Sequence, residues 1–144
     1  MDKSILKEAN IKLNQSISSK QDAIKVAGSI LVQQGYVQPE YVDAMLEREK
    51  IATTYMGNNI AIPHGTDNAK SKVIKSGVSV VQVPAGVAFG DNTATILFGI
   101  AGKGDEHLDI LSNIAIFCSD KANVEKLVNA KTEAEIITLL QGGK

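Results

Sequence analysis

Histidine and arginine are rare in this chain, and these rare side chains are the first candidates for chemistry. The 144 residues include two histidines, His64 and His107, and a single arginine, Arg48, because the other basic residues are all lysines. An imidazole can act as a nucleophile or a proton donor near neutral pH. A guanidinium can hold a phosphate group through two parallel N–H bonds, which a lysine cannot do. Together the three side chains indicate chemistry on a phosphate or another anion, if the fold brings them into one site.

His64 follows a short apolar segment that is typical of a buried strand. Ile60–Ile62 is predicted to form the strand, and Pro63 keeps the residue before it extended. Gly65 would let the backbone turn sharply after the histidine, and Thr66 could cap a short turn behind it. The imidazole would then lie at the carboxyl end of a strand, where open α/β sheets bind their ligands. Considered locally, the segment fits an ordinary loop histidine equally well.

His107 and Arg48 each lie in a predicted helix. His107 follows Gly102–Glu106 and falls in the first turn, where the positive end of the helix dipole disfavours an imidazolium ring. A neutral ring there could donate one N–H to an anion, although packing against neighbouring side chains explains the same position. Arg48 lies at the edge of an apolar stripe, so its stem can pack while its guanidinium reaches a cleft. A surface salt bridge with Glu47 or Glu49 is the alternative.

Other common catalytic and metal-binding motifs are absent from the sequence. It contains no G-x-S-x-G elbow, no H-E-x-x-H, no Walker A sequence and no Cys/His cluster. Cys118 is the single cysteine, and its apolar surroundings favour a buried hydrophobe over a reactive thiol. The two histidines with Asp67 or Asp105 could bind a metal, but their spacing matches no common site. We expect no metal and no other cofactor, with a metal-dependent hydrolase as an alternative.

Apolar periodicity predicts one α/β domain whose strands are covered on both faces. The nearly continuous apolar runs Val78–Val83 and Ala94–Ala101 are typical of strands in a parallel or mixed sheet between helices. Shorter strand-like pieces are Ser4–Leu6 and Ile11–Leu13. Two helices are predicted in the first half of the chain: Ser19–Gln34, with a capping box at Ser19 and Asp22, and Pro39–Lys50. Three more follow from Asp105 onward. The first is defined by Leu108, Leu111, Ala115 and Cys118, the second lies around Val124–Val128, and the third runs from Thr132, which forms a capping box with Glu135, to Gln141.

The composition fits a single globular domain over residues 1–144. Hydrophobic residues make up 44% and charged residues 22% of the chain, and the net charge is −1 with both signs mixed along it. The lack of a basic stripe argues against nucleic acid as a partner. Met1–Asn10 carries charges and lacks the apolar core of a signal peptide, and the apolar runs fall well short of the roughly 20 residues that cross a bilayer. We expect a cytoplasmic protein.

Two separated blocks of the sequence resemble the mannitol/fructose-type IIA proteins of the bacterial sugar phosphotransferase system. The first block is Arg48–Lys50 followed by Thr54–Thr66, and the second is Gly99–Leu111. Since the order of the predicted elements agrees as well, the resemblance covers essentially the whole chain. Thr54–Gly57 and Gly102–His107 are more similar to the mannitol branch than to the fructose or nitrogen-regulatory branches.

The resemblance implies a mixed, mostly parallel five-stranded sheet flanked by helices, and a role as a phosphoryl carrier. His64 would accept the phosphoryl group on Nε2, His107 would donate a hydrogen bond to a phosphoryl oxygen, and Arg48 would stabilise the charge. The donor would be HPr, the small histidine phosphocarrier, and the acceptor a cysteine of IIB in the mannitol IIB/IIC membrane permease. A fructose-type or nitrogen-regulatory IIA phospho-switch is the alternative.

The same resemblance predicts where this carrier works. The sugar pocket belongs to the membrane-embedded IIC protein, so the chain would bind no sugar and would reach the inner face of the membrane only transiently, through the permease. Both partners would dock in turn over the surface around His64, with contacts near the low end of interface sizes. Ile62, Met56 and Val87 are the candidates for an apolar docking patch.

Overall fold

The computed structural model of the protein describes residues 4–142. The strands in this part of the chain are β1 (Ile11–Lys12), β2 (Tyr55–Gly57), β3 (Ile60–Ala61), β4 (Gly77–Phe89) and β5 (Asn92–Ala101). The α-helices there are α1 (Lys20–Gln33), α2 (Glu40–Ile51), α3 (Glu106–Cys118), α4 (Lys121–Asn129) and α5 (Glu133–Gly142). Short 3₁₀ helices are formed by Glu8–Asn10 and Asp67–Lys72.

The strands form one mixed sheet in the order β1-β4-β5-β3-β2. The β1–β4 and β3–β5 pairings are parallel, whereas the β2–β3 and β4–β5 pairings are antiparallel. The predicted five-stranded mixed sheet flanked by helices is therefore confirmed, with parallel and antiparallel pairings in equal number. The β4–β5 pairing is antiparallel because a two-residue turn joins these strands, with Gly90 at a φ of 65°.

Helices cover both faces of the sheet, as the apolar strands predicted. Along β4, Val81 packs with the buried side chains of α1 and α2, while its neighbour Val80 packs with those of α3, α4 and α5. Leu97 and Phe98 of β5 divide between the same two cores. Successive side chains of a strand point to opposite faces, so a strand buried on both faces must be apolar throughout.

Local capping signals set the ends of two helices as expected. Ser19 Oγ accepts a hydrogen bond of 3.1 Å from the Asp22 N–H at the start of α1. At α5, Thr132 Oγ1 accepts a hydrogen bond of 3.1 Å from the Glu135 N–H, and the Glu135 carboxylate accepts one of 3.1 Å from the Lys131 N–H. These bonds satisfy backbone donors that have no partner within the helix.

Two local expectations differ from the structure, and one strand was not expected. Ser4–Leu6 is a turn rather than a strand. It contacts β4 through a hydrogen bond of 2.9 Å from the Val78 N–H to the Ile5 carbonyl, and the Leu6 side chain is buried in the core. Thr66 precedes a 3₁₀ helix, as predicted, but its side chain makes no capping bond. Strand β2 was not predicted at all, since its sequence Tyr-Met-Gly is too short to show a period.

The buried face of α3 also differs from the expected one. Ile110, Ile114 and Cys118 face the core at a spacing of four residues, whereas Leu108 is 56% exposed. Apolar residues occupy two sides of this helix, so periodicity alone does not say which side packs on β5. Among residues 4–142, none of the helices combines the length and the apolar character that crossing a bilayer requires.

Candidate active site

The carboxyl ends of β3 and β5 hold the segment that carries His64. The Ile100 N–H donates a hydrogen bond of 2.9 Å to the Pro63 carbonyl, and His64 forms an isolated parallel bridge with Ile100. The chain therefore stays beside β5 as far as His64. The imidazole lies at the carboxyl edge of the sheet, where the sequence predicted it.

One hydrogen bond determines the tautomer of the His64 ring. Its Nδ1 atom lies 2.8 Å from the carbonyl oxygen of Ile62. A carbonyl oxygen can only accept, so Nδ1 carries the proton that makes this bond. In the neutral ring the other nitrogen, Nε2, then has a free lone pair and can act as a nucleophile.

The surroundings of His64 favour the neutral ring. Burial is the largest cause that lowers the pKa of His64 below its ordinary 6.5, and the electrostatic interactions of its ring with Arg48 and His107 lower it further. The Ile62 carbonyl and the Asp67 carboxylate act in the opposite direction, and the net result is a lowered pKa. The ring is therefore unprotonated at Nε2 at neutral pH.

All three predicted side chains line one cleft of about 500 Å³. Arg48 comes from the last turn of α2, His64 from the segment after β3, and His107 from the first turn of α3. Tyr41, Ile51, Asp67, Lys70 and Leu108 also line this cleft. The fold thus brings a nucleophilic nitrogen, a guanidinium and a second imidazole to a common space that is large enough for a phosphoryl group.

Arg48 is held in place by the end of its own helix. Its Nη1 donates a hydrogen bond of 2.7 Å to the carbonyl of Ala52, the residue that follows α2. The expected alternative was a salt bridge with an acidic neighbour. Glu49 instead accepts hydrogen bonds from the N–H (2.8 Å) and the hydroxyl (2.6 Å) of Thr54, and its other oxygen forms an ion pair of 3.7 Å with Lys20.

Two contacts hold the start of α3, where His107 lies. Ser76 Oγ accepts a hydrogen bond of 2.9 Å from the Lys103 N–H and donates one of 2.5 Å to the Glu106 carboxylate. Gly102 passes so close to the backbone and Cβ of His107 that a side chain there would overlap them. The close approach of the His107 backbone therefore explains why position 102 is a glycine.

The orientation of the His107 ring limits what it can donate. Its Nδ1 lies 3.3 Å from the Gly104 carbonyl oxygen. A neutral ring that donates from Nδ1 presents a lone pair at Nε2. Donation from Nε2 requires either the other tautomer or a ring that carries both protons. The expected neutral donor must therefore give up its bond to Gly104, or take up a proton, before Nε2 can donate to a phosphoryl oxygen.

Tyr41 and Lys70 line the cleft but were not identified from the sequence. Tyr41 belongs to the apolar face of α2, yet its hydroxyl also bonds two backbone groups of the site. It lies seven residues before Arg48, which places both on one side of the helix, and this spacing was the available signal. Lys70 belongs to the 3₁₀ helix after the site, and the sequence had no periodic pattern that would have placed it in the cleft. Asp67 of the same 3₁₀ helix was considered only as a possible metal ligand.

The expected docking patch is partly wrong. Val87 is buried, and Ile62 and Met56 are partly buried side chains that pack against the core beneath α3, α4 and α5. Ile51 and Leu108 are instead the large apolar side chains that both line the cleft and are exposed, by 70% and 56%. They flank the site because they follow Arg48 and His107 on their helices.

Cys118 fits the buried hydrophobe that was predicted. It lies in the core between α3 and the sheet, and burial raises the pKa of its thiol to about 12. Such a thiol is protonated and therefore a poor nucleophile at neutral pH. Over residues 4–142, no three His, Cys, Asp or Glu side chains are grouped so that they could hold a metal ion.

Comparisons with known proteins show which family the chain resembles. The family model described as "Phosphoenolpyruvate-dependent sugar phosphotransferase system, EIIA 2" matches residues 4–142. A mannitol-specific phosphotransferase enzyme IIA component from Bacillus subtilis is 56% identical over 136 residues, which is 94% of this chain and 95% of that protein.

Two solved structures from Escherichia coli are similar over nearly their whole length. The complex of enzyme IIAMTL and phosphorylated enzyme IIBMTL matches with a TM-score of 0.90 and 41% identity, covering 95% of this chain and 97% of the matched one. The crystal structure of IIA mannitol matches with a TM-score of 0.88 and 41% identity, covering 94% and 98%.

Proposed function

We propose that this chain, which belongs to the EIIA 2 family of the phosphoenolpyruvate-dependent sugar phosphotransferase system, carries phosphoryl groups for the uptake of mannitol. It accepts the group from phosphorylated HPr on Nε2 of His64 and passes it to a cysteine of the mannitol IIB protein. The observation that carries this proposal is the bond from His64 Nδ1–H to the Ile62 carbonyl, which leaves Nε2 as the free nucleophile.

The reaction consists of two transfers, in which His64 is first the nucleophile and then the leaving group. In the first, the Nε2 lone pair attacks phosphorus, and the bond between phosphorus and the HPr histidine breaks with its electron pair returning to that nitrogen. In the second, a IIB thiolate attacks phosphorus, and the electron pair of the N–P bond returns to Nε2. Nδ1 keeps its proton throughout, and the Ile62 carbonyl stabilises the positive charge that the phosphorylated ring carries.

The other two side chains stabilise the phosphoryl oxygens. Phosphoryl transfer depends on positioning and on neutralising charge rather than on further covalent steps. Arg48 offsets the negative charge with a guanidinium that the Ala52 carbonyl orients. His107 donates to a phosphoryl oxygen from Nε2 once that nitrogen carries a proton. A single arginine and one donor hold the group without preventing its release.

Both partners dock over the rim of the cleft. Ile51 and Leu108 supply exposed apolar surface beside the phosphoryl site, and Lys70 adds positive charge there. A carrier with one reactive histidine must present the same surface to its donor and to its acceptor, one after the other. The protein works in the cytoplasm and reaches the inner face of the membrane by binding to the permease, whose IIC part binds the sugar.

The first test identifies the modified residue. The protein is incubated with phosphoenolpyruvate, enzyme I and HPr, and its intact mass should rise by one phosphoryl group. His64→Ala should abolish the increase. His107→Ala should still become phosphorylated at His64 but pass the group on slowly. Phosphorylation of His64→Ala at another residue would contradict the proposal.

The second test addresses the sugar. Phosphorylated protein added to membranes that contain a mannitol IIB–IIC permease should produce mannitol phosphate, whereas fructose permease membranes should respond poorly. Free mannitol should give no heat of binding with the protein alone. Equal transfer to both membranes would overturn only the mannitol assignment, and failure with every IIB protein would favour a regulatory phospho-switch.

A further inference from the structure

The hydroxyl of Tyr41 connects two backbone segments of the active site. It donates a hydrogen bond of 2.8 Å to the Ile100 carbonyl and accepts one of 2.9 Å from the Gly65 N–H. The tyrosine side chain is buried in the core between α2 and the sheet. Burial raises the pKa of Tyr41 above its ordinary 10.0, so the hydroxyl keeps the proton that it donates.

These bonds hold the residues on both sides of His64 against one residue of β5. Before the histidine, the Pro63 carbonyl accepts a hydrogen bond of 2.9 Å from the Ile100 N–H. After it, the Gly65 N–H is bonded to the Ile100 carbonyl through the Tyr41 hydroxyl. The Pro63–Gly65 backbone is thus hydrogen-bonded to Ile100 at both ends, directly at Pro63 and through the Tyr41 hydroxyl at Gly65.

Gly65 explains why the tyrosine can approach so closely. A Cβ atom on Gly65 would lie 2.6 Å from Cε1 of the Tyr41 ring, which is too close for two carbon atoms. The backbone of Gly65 is not in the left-handed region, so the sharp turn expected from the sequence does not require this glycine. What requires it is the aromatic ring that lies against the peptide after His64.

We propose that Tyr41 is a positioning residue for phosphoryl transfer, because its hydroxyl fixes the Gly65 backbone and thereby the direction in which His64 presents Nε2. This inference rests on the proposed function. A small displacement of the attacking nitrogen from its position opposite the phosphorus atom is enough to slow a transfer step, even where the fold is intact. The loss of the hydroxyl should therefore slow the transfer itself more than it weakens partner binding.

The chain offers a matched control for the loss of a buried tyrosine hydroxyl. Tyr36 is fully buried, and its hydroxyl donates to the Ser4 carbonyl at 2.8 Å and accepts from Asn10 Nδ2 at 3.0 Å. Tyr36 therefore also makes one bond as donor and one as acceptor, but it does not line the cleft. Tyr36→Phe and Tyr41→Phe remove the same chemical group in the same kind of environment.

The experiment compares both variants in single-turnover transfer from purified phosphorylated HPr. Tyr41→Phe should still become fully phosphorylated at His64, with its maximal rate reduced about tenfold and its half-saturating HPr concentration nearly unchanged. The ring ¹⁵N resonances of His64 should move in this variant. Tyr36→Phe should lose a similar amount of thermal stability but keep the wild-type rate and the wild-type resonances.

Each outcome bears on the inference in a defined way. A wild-type rate in Tyr41→Phe, or an equal slowing in Tyr36→Phe, would overturn the positioning role. If Tyr41→Phe does not fold, Gly65→Ala provides the second variant, because its Cβ displaces the Tyr41 ring, and an unchanged rate there would equally overturn it. Failure of the wild-type protein to accept a phosphoryl group would instead refute the proposed function.

Discussion

The Nδ1 atom of His64 lies 2.8 Å from the carbonyl oxygen of Ile62, two residues before it in the chain. The bond assigns the ring proton to Nδ1 and leaves a free lone pair on Nε2, which the proposed attack on phosphorus requires. It also prevents the ring from turning freely about its side-chain bonds. A short-range contact between a side chain and the backbone two residues before it thus decides which of the two ring nitrogens keeps a free lone pair.

The rate of phosphoryl acceptance should depend on pH through His64. Since burial and the nearby Arg48 and His107 lower its pKa below 6.5, the reactive neutral ring should persist at pH 6.5 and be lost only at lower pH. Single-turnover rates with purified phosphorylated HPr, measured beside an NMR titration of the ring, test this. A midpoint at or above 6.5 would contradict the expected effect of burial.

The same lowered pKa predicts an acid-sensitive part of the free energy of unfolding. Between pH 6.5 and the lower pKa of the folded state, the unfolded chain binds a proton at His64 that the folded protein does not, so stability falls as the pH falls through this range. His64→Gln should remove this dependence. Urea unfolding of both proteins at several pH values between 7.5 and 4.5 measures the difference in their free energies of unfolding. This difference should hardly change with pH above pH 6.5.

Arg48→Lys should separate charge from geometry. The variant keeps one positive charge at the end of α2 but cannot form the planar pair of N–H bonds to a phosphoryl group, and it loses the oriented bond to Ala52. We expect a loss of about tenfold or more in transfer rate. The midpoint of thermal unfolding should barely change, because the lost hydrogen bond is exposed. Full activity in the lysine variant would reduce Arg48 to a general electrostatic effect.

The apolar rim of the cleft should matter for partner binding. Leu108→Ser and Ile51→Ser remove exposed apolar side chains beside the site, so the apparent affinity for HPr and for IIB should fall while the protein stays folded. Ile116→Ser is the matched control, because Ile116 is 73% exposed on the same helix as Leu108 but does not line the cleft. Equal effects of Leu108→Ser and Ile116→Ser on affinity would rule out this docking surface.

Glu49 should be needed for stability rather than for chemistry. Its buried carboxylate accepts the N–H and hydroxyl of Thr54, whose carbonyl in turn accepts the Ile62 N–H at 3.0 Å beside β3. Glu49→Ala leaves these buried donors without a partner, which costs about 1–3 kcal/mol in the free energy of unfolding. Glu47→Ala, at an exposed position two residues earlier, should change it by less than about 0.5 kcal/mol. Urea denaturation distinguishes the two.

Much of the fold and one part of the site could be read from local sequence. The capping residues Ser19 and Thr132 act within one helical turn, and the continuous apolar runs of β4 and β5 require cover on both faces wherever they lie. The position of His64 after a strand and a proline is equally local. The caps and the position of His64 depend on residues that are close in sequence, and the need to cover β4 and β5 depends only on their apolar side chains, so the sequence by itself determined these features.

The assembly of the site was decided by tertiary structure. Tyr41 contacts Gly65 and Ile100, which lie 24 and 59 residues further along the chain, and no local period encodes such contacts. The exposure of Leu108 depends on which side of α3 packs against β5, because that helix is apolar on two sides. The docking of α2 and α3 on the sheet selects these neighbours, since burying their apolar faces contributes more free energy than any single polar contact in the cleft.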